Sequence, residues 1–524
     1  MRKTIFIVTW LLIKSAFVFA NPDDPIQYKF CPKNEKIKNF SAYLEAGETD
    51  YLLPLVEALP ESSLLEGKLE KNCYLAWIYF YQGKYQLAAE NWPSEYFQKM
   101  AEYAKQFKPA ESRHFQIFTK DRDIILNDYA LEAMEEVYDK IGLLFNYFPK
   151  DKIRVEIYST SEEFNLASTL SKRDLEVSGA IGICKFNRIM LLSPETLAFG
   201  FRWQDALAHE YVHLLIQRLS RGNCPLWLHE GIAKYSELIW RGGEAGYLPP
   251  SHQNLLAEAV KNNSLITFQQ MHPSLVKLNS QEEVSLAFAE VCWAIKFLVN
   301  KSGEKILPKL LINLSKYPNP QTAFKKTLAL SMNKFEKQWR KNLAEVQWSI
   351  KPGAVLEKIR LKGSAGDEIE EFVEQSLGDY LRLGDRFRQR RAFSTAQEEY
   401  AKAEAIEPNN PVILNKLAKL LLDLGDPAKA EEKFKQAIQN NPNYGPVYTN
   451  YADLLFQQKR YREALTNYQE SNRFNPFNPL IHKMMGIIYL QQNDQEKARQ
   501  EWQIAQALLP QDRELSNWLI PPPP

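Results

Sequence analysis

The chain has 524 residues, with 65 Lys or Arg against 64 Asp or Glu, a formal charge of +1, and 45% hydrophobic residues. That length exceeds one ordinary domain of about 100–200 residues, so several cores are expected. The balanced charge gives no field for steering nucleic acid, and no basic cluster with interleaved aromatics occurs, so nucleic acid is not an expected partner.

At the start, Arg2 and Lys3 precede an apolar run from Ile5 to Ile13, and Val18-Phe19-Ala20 supplies small residues before Asn21. Residues 1–20 therefore read as a signal peptide cleaved near Ala20-Asn21, with a run too short to span a bilayer. The expectation is a secreted or periplasmic protein with no transmembrane segment after signal removal. None of the five cysteines forms a C-x-x-C, which argues against a zinc ribbon or thioredoxin motif. Cys31 and Cys73 are the pair expected to form a disulfide, and Cys224 reads as apolar packing. Residues 21–108 read as a small helical domain, in which Ala76, Tyr79, Gly83, Tyr85 and Ala88 keep the spacing of one helical-repeat hairpin.

Residues 109–350 carry the chemistry. Phe115 to Phe118, Arg154 to Tyr158 and Arg188 to Leu192 read as strands by alternation and β-branched content. The run His209-Glu210-Tyr211-Val212-His213 follows. Positions i and i+4 share a helix face, so both imidazoles can meet one metal ion, with Glu210 beside it to take a proton from water. The flanking Ala206, Leu207, Ala208, Leu214, Leu215 and Ile216 imply a buried helix, which argues against a pair of surface histidines. After the turn Arg221 to Pro225, a second helix returns with Trp227-Leu228-His229-Glu230-Gly231-Ile232-Ala233, and Glu230 is the expected third ligand. Two His and one Glu leave a tetrahedral position open, the arrangement of a catalytic zinc. Glu237 lies seven residues after Glu230 on the same face, where it could orient a ligand histidine.

Residues 351–376, with Lys351-Pro352-Gly353 and Lys362-Gly363-Ser364-Ala365-Gly366, read as linker. Beyond it Pro408, Pro442, Pro476 and Pro510 recur at 34 residues, as do Ala396, Ala430, Ala464 and Ala498. Tyr400, Phe434, Tyr468 and Trp502 keep that period, as do the small residues Gly384, Ala418, Ala452 and Gly486. This is the tetratricopeptide pattern, and four repeats fill 377–512 as an α-solenoid whose concave face holds a peptide or partner protein, or which braces the catalytic domain.

The two motif segments, Leu207 to His213 and Pro225 to Tyr235, resemble the gluzincin metallopeptidases of the peptidase MA-like family, over roughly residues 110 to 345. The helix from Ile295 to Gly303 and the segment Phe335 to Arg340 are similar to that family's later helices. The resemblance implies an α+β thermolysin-like catalytic domain between the helical N-terminal region and the solenoid. It implies zinc on His209, His213 and Glu230, with Glu210 as general base, and an edge strand just before the zinc helix, here Arg188 to Leu192, that pairs with extended substrate. Aminopeptidase N relatives place an oxyanion-stabilising Tyr in a region that corresponds here to Leu286–Phe297, which contains none. Tyr235, His229, Tyr247 and His252 are the remaining candidates. Those relatives also grip a free amino terminus with an acidic residue, and residues 178–193 contain no Asp or Glu, which favours an endopeptidase. The expected function is an extracytoplasmic zinc endopeptidase acting on peptide or protein substrates. The alternative is a noncatalytic scaffold retaining a zinc fold, and the intact Glu210 favours the enzyme. A weaker third option is a zinc hydrolase for amide bonds such as those of cell-wall peptides.

Overall fold

The computed structural model describes residues 40–45, 47–59, 65–170, 175, 178–272, 275, 278–356 and 375–519. The expected signal peptide, Cys31 and most of the expected linker lie outside them. Among the described residues no helix is long and apolar enough to cross a membrane. Cys73 is disulfide-bonded, while Cys224 and Cys292 are buried free thiols.

A five-stranded mixed sheet organises the middle of the chain: β1 (Lys108–Glu111), β2 (Phe115–Thr119), β3 (Ile153–Tyr158), β4 (Gly182–Lys185) and β5 (Arg188–Leu192), in the order β1-β2-β3-β5-β4. β2, β3 and β5 run parallel, and β1 and β4 pair antiparallel on the two edges. The three expected strands are present. However, β5 is interior and β4 is the edge. All five β5 residues are buried, Arg188 together with the apolar run Ile189 to Leu192, as an interior strand covered on both faces requires.

Alternation sends Val155, Ile157, Ile189 and Leu191 toward the helix Trp203–Ser220, while Tyr158, Met190 and Leu192 face the N-terminal helices. Those helices, Leu65–Tyr81 and Tyr85–Asn91, form the expected hairpin, turning at Gly83 with φ +70°. The hairpin is docked by a buried charge cluster. Glu156 meets Arg188 at 3.1 Å with both side chains fully buried, and it also accepts from Arg154, Tyr85 and Tyr158. Arg188 donates to the Phe80 carbonyl across the junction at 2.9 Å. Burial alone would raise the Glu156 carboxyl, but Arg188 and Arg154 hold it down to about 2.

The C-terminal repeats are four helix pairs: Gln375–Gln389 with Phe393–Ile406, Pro411–Asp423 with Pro427–Asn440, Pro446–Gln457 with Tyr461–Asn472, and Pro479–Gln491 with Gln495–Leu508. The small residues are there for close packing. A Cβ on Gly384 would lie 2.4 Å from the Tyr400 ring, and one on Gly486 would lie 2.2 Å from that of Trp502.

This solenoid does not stand apart from the sheet domain, as a plain linker would allow. Phe477 joins the core formed by the sheet and the helix Asn127–Phe145. Tyr129 donates to Glu501 at 2.9 Å, beside the buried pair of His482 with Glu501 at 2.7 Å. The Phe201 N–H donates to the Phe474 carbonyl at 3.0 Å, and Arg202 bonds Glu470, Asn443 and the Pro442 carbonyl. A Cβ on Gly200, whose φ is +68°, would sit 1.9 Å from the Phe474 carbonyl oxygen.

Two outcomes are expected. Glu156→Ala should lower stability by about 3–5 kcal/mol, since it strands buried arginines, read as a shift of the denaturation midpoint. Because the Glu156 pKa is depressed from the ordinary 4.5, its contribution is complete above that pH and lost as pH falls toward 2. An acid limb indifferent to Glu156→Gln would contradict this. Separately, Gly200→Val should push the solenoid off the sheet domain, seen as a larger radius of gyration in small-angle scattering. An unchanged scattering profile would show that the contact does not govern docking.

Candidate metal centre and cleft

The motif helix Trp203–Ser220 carries Asp205 in its first turn and Arg218 in its last, charges that suit the helix dipole. It ends at Arg221 in the left-handed conformation, φ +50°, and Pro225 opens the return helix Leu226–Ser236. Asp205 also ties the far end of that return by bonding Trp240 at 3.0 Å and Arg241 at 2.8 and 2.9 Å. Gly231 lets the return helix press against Gln281–Ser302, because a Cβ there would lie 2.7 Å from the Val291 carbonyl. The residue next to the third candidate ligand is thus glycine for a packing reason, and that close crossing sets the position of Glu230.

The three candidate ligands converge. The His209 and His213 Nε2 atoms are 3.1 Å apart, and Glu230 Oε2 lies 3.3 Å from His213 Nε2 and 3.8 Å from His209 Nε2. Metal–ligand bonds of about 2.0–2.2 Å at tetrahedral angles place ligand atoms about 3.3–3.5 Å from one another. The observed separations bracket that spacing, each within about 0.3 Å of it, so small side-chain adjustments suffice. Glu237 Oε2 stands 3.3 Å from His209 Nδ1. A carboxylate only accepts, so Nδ1 carries the proton and Nε2 is left to bind a cation. Lys234 holds the other Glu237 oxygen at 2.5 Å.

The electrostatics point the same way. Glu210 and Glu230 are buried, and Glu237 half-buried, around two imidazoles, and within this group Lys234 is the fixed cation. Burial would lower the His209 pKa, yet hydrogen bonds to Glu230 and Glu237 raise it to about 10. Burial would likewise raise Glu230, but the facing histidines hold it far below the ordinary carboxylate range. Glu237 is held to about 2 against its burial, by Lys234 and then His209. A divalent cation would supply the charge that protons otherwise provide here.

Glu210 points past this triangle toward the edge strand. A Cβ on Gly182 would come within 3.0 Å of the Glu210 carboxyl oxygen, so β4 lies directly over the side chain. The Cys184 N–H donates to that carboxylate, but burial dominates and raises the Glu210 pKa. A cavity of about 380 Å³ opens between β4 and the helix Gln281–Ser302, with Ile181 and Ile183 on one side and Val284 and Phe288 on the other.

Of the four oxyanion candidates, His229, Tyr247 and His252 line this cavity. Tyr235 does not. It packs in the hydrophobic core over Gly246, and that burial removes it from the set. The His229 ring stacks on His213 at 4.4 Å between centroids, and its pKa falls to about 3 through burial and the neighbouring His213. Burial also lowers His252 to about 3. Sequence reasoning missed Lys234, whose three-residue spacing before Glu237 was a usable signal. It also missed Arg202, Asn443 and Phe474 at the cavity margin, which carry no local signal.

Comparison with known proteins adds three matches along the chain. Residues 140–345 match the Peptidase MA superfamily, and residues 381–445 and 421–486 match tetratricopeptide repeats. The small glutamine-rich tetratricopeptide repeat-containing protein 2 of Mycosarcoma maydis is 30% identical over 100 residues, covering 19% of this chain and 28% of that protein. The type IV pilus assembly protein PilF of Pseudomonas aeruginosa is 25% identical over 129 residues, 24% of this chain and 51% of PilF. The chain thus spans about a quarter and about half of the length of these relatives. A crystal structure of the MamA protein aligns at 21% identity and a TM-score of 0.25, covering 28% of this chain and 79% of that one. This chain contains a Peptidase MA superfamily domain followed by tetratricopeptide repeats.

Proposed function

We propose that the chain is a zinc-dependent endopeptidase of the gluzincin type, with a thermolysin-like arrangement around the motif helix. The observation that carries this reading is the triangle of His209, His213 and Glu230, whose spacing suits a tetrahedral metal. Zinc there would act as a Lewis acid, polarising a carbonyl and making water a usable nucleophile near neutral pH. Glu210 is placed to accept a proton at its carboxylate and return it to the departing amine. Glu237 keeps His209 in the tautomer that presents Nε2 inward, and Lys234 fixes Glu237. The exposed edge of β4 offers backbone hydrogen bonds to an extended chain, which gives affinity with little side-chain choice. The lack of an acidic residue in 178–193 leaves nothing there to hold a free amino terminus.

The repeats would recruit a protein substrate or partner along their concave face. The bonded Cys73 and the N-terminal sequence pattern support a location outside the cytoplasm.

His213→Ala should abolish stoichiometric zinc by elemental analysis, because two ligands cannot close the site. Glu210→Gln should keep zinc and fold while cleavage of a peptide library falls by about two orders of magnitude or more. Zinc without cleavage in the unaltered chain would favour the scaffold reading instead. Glu237→Gln should weaken zinc by about 10–100-fold, measured by competition with a chelator. Unaltered affinity would mean that Glu237 does not position His209.

A further inference from the structure

The three residues directly ahead of the motif helix hold the solenoid. Gly200 approaches the Phe474 backbone, Phe201 bonds its carbonyl, and Arg202, at the N-cap, spreads its guanidinium over the Phe474 ring at 4.5 Å while bonding three solenoid groups. His209 begins two helical turns later. The solenoid is therefore fixed to the same helix that carries the candidate ligands.

The consequence lies at the cavity. Its lining includes Asn441, Pro442, Asn443 and Phe474 from the solenoid, together with Leu356 from the connecting segment. Asn441 shapes this margin from within. Its Nδ2 donates to the Val355 carbonyl at 3.0 Å, and its Oδ1 accepts from the Asn443 N–H at 2.9 Å. The loop Asn441–Asn443 and the connecting segment are thus bonded to one another as they border the cleft. Arg202, braced at 3.0 Å against Glu470, ties that loop to the motif helix.

We propose that the substrate cleft is a composite of both units, in which the loop Asn441–Asn443 and Phe474 form a wall that limits the size of the substrate side chains accepted. This rests on the peptidase reading and names its substrate class: an extended, unfolded polypeptide. A cavity of about 380 Å³, bordered by β4, by Val284 and Phe288, and by the solenoid, is at the small end of ligand-site volumes and admits a few residues of chain. The solenoid then selects substrate at the reacting centre as well as along its own concave face. Asn443 is the specificity residue, since it is half-buried on that wall and its backbone is held by Asn441.

The test uses the full zinc-loaded chain and dipeptide hydroxamates carrying glycine, leucine or tryptophan, with affinities measured by calorimetry. Asn443→Trp should weaken the tryptophan ligand about 10-fold or more relative to the glycine ligand, the scale on which a crowded pocket discriminates. Asn443→Ala should shift that ratio the opposite way, and Gly200→Val should reduce discrimination while zinc stoichiometry stays at one. An identical ratio in all four proteins would overturn the composite cleft and leave the peptidase reading standing. No zinc-dependent hydroxamate binding by the unaltered chain would remove the peptidase reading, and the composite cleft with it.

Discussion

Three carboxylates, the buried Glu210 and Glu230 and the half-buried Glu237, surround one pair of imidazoles, and Lys234 is the lysine set among them. Burying an ion without compensation costs several kcal/mol, so this cluster needs positive charge from somewhere. Protonated histidines can supply it, as the raised pKa of His209 shows, and so can a divalent cation at the ligand triangle. The rest of the site is arranged around this need. Gly231 permits the close helix crossing that brings Glu230 in, Asp205 ties down the far end of the return, and Gly182 lets β4 lie over Glu210.

Much of this was legible because it is local. The His–His spacing, the turn after Ser220 and the return helix are read from a few dozen consecutive residues. The repeats announce themselves by a 34-residue period in which each small position meets a specific ring, as Gly384 meets Tyr400. Glu237 could be placed by helical spacing alone. The interior status of β5 is also within reach, since the four consecutive apolar residues Ile189 to Leu192 signal burial on both faces, although the family resemblance points to an edge strand there. The true edge, β4, is short and carries a glycine and a lysine, so its pattern is weak.

What was not legible depends on contacts distant in sequence. Nothing near Gly200-Phe201-Arg202 indicates that Phe474 will sit on it, because the constraint is shape and backbone hydrogen bonding between residues some 270 positions apart. The N-terminal hairpin is similar. Its helical spacing is visible, but its attachment through Arg188 and Glu156 depends on a buried ion pair formed only once the sheet exists. Linker composition suggested two separate cores, whereas Phe477 and Tyr129 join them. A hydrophobic residue in a repeat loop reads the same whether it packs inside the solenoid or across to another unit.

The account therefore describes one motif helix with three duties: it holds two ligands, presents a base to the edge strand, and anchors the solenoid at its N-terminus. The most direct measurement is anomalous scattering at the zinc edge from crystals of the full chain grown with zinc. The account predicts a single strong peak about 2.0–2.2 Å from His209 Nε2, His213 Nε2 and a Glu230 carboxyl oxygen. A peak on other residues, such as His229 and His252, or none in this triangle, would contradict it.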